Sequence, residues 1–153
     1  LIGSRFALAQ LFDHSCALAR VGKIQNVSIS CANHTAGLLL LGWLAAQLGW
    51  KLQPTEDFFL SGAGRRIDFE IQTTVGPVLT KCAFDCEDAT LEIRREPNSD
   101  YFQARIGCEG VSDAVMLAPA GRSEPADILV AELSRGGNHP LYRRSLAAID
   151  ALF

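Results

Sequence analysis

The sequence predicts an α+β fold: a mainly antiparallel sheet, made of a five-strand meander plus one earlier strand, with helices packed on one face. Three observations predict it. Apolar residues recur with period two through residues 66–118. An almost wholly apolar run, Ala36–Ala46, sits between helix-capping residues. Helical spacing then bounds the meander on both sides. With 153 residues, 48% of them hydrophobic and 20% charged, the chain reads as one globular domain, 1–153, large enough for its own core.

The elements follow in order. Phe6, Leu8, Leu11, Phe12 and Leu18 give Arg5–Arg20 an amphipathic helical pattern. Lys23–Cys31 alternates, with Val27, Ile29 and Cys31 on one face and Asn26, Ser28 and Ser30 on the other, as a strand with one wet side does. Asn33 and Thr35 offer N-caps to a helix reaching about Leu48, where Gly49 supplies the stop. Leu38, Leu41, Gly42, Trp43 and Leu44 leave that helix no polar face, so it is expected to be the buried spine of the core. Residues 51–64 carry the Pro, Gly and acidic content of a loop.

The meander is expected to place Ile67, Phe69, Ile71, Val78, Thr80, Cys82, Phe84, Leu91, Ile93, Phe102, Ala104, Ile106, Val115 and Leu117 on its dry face. Turns fall at Gly76-Pro77, at Asp85-Cys86-Glu87-Asp88 and at Pro97-Asn98-Ser99-Asp100. The register this implies sets Phe69 opposite Cys82, Cys82 opposite Leu91, and Leu91 opposite Ile106. Glu92, Arg94, Gln103 and Arg105 occupy the charged face. Ser123, with Glu124 and Pro125, caps a helix through Ile128, Leu129 and Leu133 that stops at Gly136-Gly137. Asn138 and Pro140 start a last helix through Leu141, Leu146, Ile149 and Leu152.

Composition excludes several functions. A net charge of −3 offers no basic field for nucleic acid or an anionic membrane. Ala36–Ala46 is too short for a bilayer span, which needs about 20 residues. His14, His34 and His139 form no ligand pair at helical spacing, so no metal site is expected. Gly62-Ala63-Gly64-Arg65-Arg66 precedes a strand rather than a helix and reads as a turn, not an anion cradle. No serine has a nucleophile-elbow context, and no cofactor motif is present.

Five cysteines, odd in number and unevenly spaced in a chain with an ample core, read as free thiols of a cytoplasmic protein. Cys82 and Cys86 lie four residues apart, about 13 Å on a strand, against a limit of about 7 Å for a disulfide. Cys86 and Cys108 are placed at one sheet edge by the expected register, which makes them the candidate redox thiols, with ordinary free thiols the plainer reading.

Several segments together resemble a known family. They are Leu11-Phe12-Asp13 in the first helix, the run Leu40-Leu41-Gly42-Trp43-Leu44-Ala45-Ala46-Gln47-Leu48-Gly49-Trp50, the strand-rich stretch with cysteines, Glu132-Leu133, and Tyr142-Arg143-Arg144-Ser145-Leu146. In these the chain resembles the C-terminal domain of the OpcA family, the glucose-6-phosphate dehydrogenase assembly proteins. The likeness spans nearly the whole chain, and the Leu-Gly-Trp-Leu-Ala-x-x-Leu-Gly-Trp helix is its most specific element. It implies a non-catalytic subunit that binds glucose-6-phosphate dehydrogenase, promotes its assembly and raises its activity. It also implies an additional N-terminal portion of the family's full-length chain, in keeping with the abrupt start at Leu1, and thioredoxin as a further partner through redox control. Two alternatives stand beside it: a thiol enzyme or redox sensor using Cys86 and Cys108, and a small-molecule-binding regulatory domain using the loop at 51–66.

Overall fold

Strand β1 (Ile24–Cys31) is the hub of an eight-stranded mixed sheet ordered β2-β3-β4-β1-β5-β6-β7-β8. The other strands are β2 (Lys51–Gln53), β3 (Phe58–Leu60), β4 (Arg66–Thr73), β5 (Leu79–Cys86), β6 (Ala89–Arg94), β7 (Tyr101–Cys108) and β8 (Val111–Pro119). The computed structural model describes residues 2–53, 57–108, 110–120 and 140–152. β1 and β4 run parallel, and all other neighbours are antiparallel. Parallel partners need a crossover; here the chain makes it through helix α3 (His34–Leu48) and the β2–β3 hairpin.

This topology is α+β with a mostly antiparallel sheet, but it corrects the five-strand meander. Of the five expected strands, β5–β8 stay contiguous while β4 is set apart, because β1 inserts between β4 and β5. Phe69 therefore lies beside Val27, and Cys82 beside Ile29, rather than beside each other. Cys82 pairs with Ile93 and Phe84 with Leu91, a shift of two residues from the expected register, while Leu91 does face Ile106. A shift of two preserves which side faces the core. Residues 51–64 are not a plain loop, since Leu52 pairs with Phe59 in the β2–β3 hairpin.

The phase of β8 is also corrected. Val115 and Leu117 lie opposite Arg105 and Gln103 on the outer face, 58% and 60% exposed. Ala118, opposite Phe102, is the fully buried one.

The core lies between the sheet and one helical layer. Helix α1 (Ile2–Asp13) buries Ser4, Ala7, Leu8 and Leu11 and packs on β6, β7 and β8. The single helix expected over Arg5–Arg20 is broken, because His14 takes an extended conformation and its Nδ1 accepts from the Cys16 amide at 3.3 Å. It thereby caps a separate short helix, α2 (Ser15–Leu18).

Helix α3 starts on Asn33, whose Oδ1 accepts from the Ala36 amide at 2.7 Å, and stops at left-handed Gly49. Leu38, Leu40, Leu41, Gly42 and Leu44 are buried, and Trp43 is half-buried under the Arg5 guanidinium at 5.7 Å. Two glycines set how closely its neighbours approach. A Cβ at Gly37 would lie 2.6 Å from Ile71 on the sheet, and one at Gly42 would overlap the carbonyl oxygen of Ser145. Ser145 belongs to the last helix, α4 (Pro140–Ala147), so α4 packs directly on α3. The helix expected from Ser123 to Gly136-Gly137, and the Asn138 start, lie outside the described residues.

Candidate functional site

Two regions gather the polar chemistry. The first is a corner where α2, the Val21–Lys23 turn and the β5–β6 turn meet. Cys16 on α2 is disulfide-bonded to Cys108 at the end of β7. Arg20 lies beside that bond, with Nη1 donating to the Cys16 carbonyl at 3.2 Å and standing 3.3 Å from its Sγ. Its Nη2 reaches Asp88 at 2.9 Å, and Lys23 Nζ reaches the same carboxylate oxygen at 3.4 Å. Partial desolvation opposes ionisation of Asp88, but the two cations outweigh it and hold the carboxyl below its ordinary range.

Cys86 borders this corner, its Sγ donating to the Arg20 carbonyl at 3.8 Å. Burial, reinforced by the Asp88 and Asp85 carboxylates, pushes its thiol up to about 11 despite Arg20 and Lys23. Burial also raises the thiols of Cys82 and of Cys31, the latter against backbone hydrogen bonds from Gly37 and Asn33. The free cysteines of the described chain are therefore protonated at neutral pH and poor nucleophiles. The candidate pairing of Cys86 with Cys108 is corrected by the Cys16–Cys108 bond, as is the reading of all five cysteines as free. Cys16 gave no signal of its own, because nothing in the sequence ties α2 to a strand end 92 residues away.

The described part of the stretch 51–66 is made of the β2–β3 hairpin and the β3–β4 turn. Ser61 and Arg65 close the β3–β4 turn through Ser61 N to Arg65 O at 2.8 Å and Arg65 N to Ser61 Oγ at 3.0 Å. Arg65 pairs with Glu87 and Arg66 with Asp68, each at 2.8 Å. Among the described residues no three His, Cys, Asp or Glu side chains cluster as a metal site, and no helix is long and apolar enough to cross a membrane. His14 is a cap, His34 is exposed at the start of α3, and His139 lies outside the described residues.

The second region is the outer face of the sheet. Among the described residues the helices lie on the other side, where Phe12 meets Phe84 at 5.1 Å and Gly37 meets Ile71. The register arranges the outer side chains in three rows across β4, β1, β5, β6, β7 and β8. The first is Asp68, Asn26, Asp85, Thr90, Gly107 and, reaching Gly107 from β8, Asp113. The middle row is Glu70, Ser28, Ala83, Glu92, Arg105 and Val115. The third is Gln72, Ser30, Lys81, Arg94, Gln103 and Leu117. The face is thus acidic along one end, basic along the other and small at Ser28 and Ala83. The expected polar quartet of Glu92, Arg94, Gln103 and Arg105 lies here, and β1, β4 and β8 extend it.

The fold resembles solved structures of KijD10, a 3-ketoreductase from Actinomadura kijaniata. A lysine-to-alanine variant in complex with TDP-benzene and NADP is 10% identical with a TM-score of 0.56, over 97% of this chain and 56% of that one. Another structure of KijD10 is 12% identical with a TM-score of 0.52, over 92% of this chain and 54% of the reductase. The chain therefore spans little more than half the length of these proteins, and at such identity the likeness is one of fold alone. No curated relative matches the sequence. The sequence does match, over residues 2–146, the family described as the C-terminal domain of the glucose-6-phosphate dehydrogenase subunit, OpcA. Matched along nearly all of its length, the chain belongs to this family of OpcA C-terminal domains.

Proposed function

We propose that this chain is a non-catalytic, cytoplasmic subunit that binds glucose-6-phosphate dehydrogenase, promotes its oligomeric assembly and acts as an allosteric activator in the oxidative pentose phosphate pathway. The observation that carries this reading is the family match over residues 2–146. The chemistry of the described residues is in keeping with it. A thiol enzyme needs a thiolate in reach of substrate, whereas Cys86 is held protonated beside two carboxylates and Cys108 is bonded to Cys16. A binding protein needs surface, and the open sheet face and the corner around Asp88 supply it.

Sedimentation velocity of purified glucose-6-phosphate dehydrogenase with and without the chain tests the reading. The expected result is a faster boundary that contains both proteins. Two boundaries sedimenting independently at micromolar concentrations would refute it.

A further inference from the structure

We draw no further inference here: the strongest candidate, the open outer face of the sheet across β4, β1 and β5–β8 with Val115 and Leu117 exposed at its β8 margin, carries none because nothing in the structure shows what covers it.

Discussion

Replacing Gly42 with Ala sets two effects of known size against each other. Alanine in the interior of α3 favours the helix by about 1 kcal/mol over glycine. Its Cβ, however, would overlap the Ser145 carbonyl oxygen and lie 3.1 Å from both Cγ1 and Cδ1 of Ile149. Ile149 can change rotamer, but a carbonyl of α4 moves only if the helix moves. Overpacking of this kind costs about 1–3 kcal/mol, so Gly42→Ala should be destabilised by up to about 2 kcal/mol overall. At about 3 °C per kcal/mol for 153 residues, the melting temperature should fall by up to about 6 °C.

Gly37→Ala is the internal comparison. Its Cβ would meet only the side-chain ends of Ile71 and Cys31, at 2.6 and 3.0 Å, so strain there can be relieved without moving a helix and the loss should be smaller. Gly42→Leu must place three further heavy atoms in the same contact, and should exceed the alanine loss. Thermal or urea melts of the three variants decide it. If Gly42→Ala and Gly42→Leu both melt at or above the parent temperature, the close α3–α4 contact is wrong.

Leu41, fully buried, should cost about 2–5 kcal/mol when replaced by Ala, read from urea unfolding midpoints. Thiol titration of the denatured, unreduced chain should find the three free cysteines Cys31, Cys82 and Cys86, and the reduced chain all five. Reducing Cys16–Cys108, which closes a loop of 92 residues, should destabilise the fold by at most about 4.5 kcal/mol through the restored chain entropy of the unfolded state. Cys86 should alkylate roughly 100-fold more slowly at neutral pH than a thiol at the ordinary value of 9.0, because its own is raised to about 11. The stability linked to that thiol is fully present below the unfolded value and is lost as pH rises through about 11, so the parent should lose more stability there than Cys86→Ala does.

The elements fixed by short-range chemistry were readable in the sequence. Asn33, the leucine run and Gly49 define α3, and the Leu91–Ile106 pair follows from alternation on either side of the loop 95–100. What escaped depends on contacts distant in sequence. Nothing local says that β1 separates β4 from β5, because the pairing of Ile29 with Cys82 is chosen by packing beneath α3. β8 has apolar residues on both sides, so alternation could not decide whether Val115 or Ala114 faces inward, and the register shift between Ile106 and Cys108 settled it. Leu52 and Phe59 were hidden among Pro54, Gly62 and acidic residues whose usual signal is a loop. The outer face was half legible: the β6–β7 charges alternate plainly, but the ends of opposite sign appear only once β1, β4 and β8 are in register.

The most direct measurement is the initial rate of NADP reduction by purified glucose-6-phosphate dehydrogenase, titrated with this chain at fixed substrate. A saturable rise in rate, absent when the dehydrogenase is omitted, is the expected result. A rate unchanged at a large molar excess of folded chain, or NADP reduction by the chain alone, would contradict the role of a non-catalytic activating subunit.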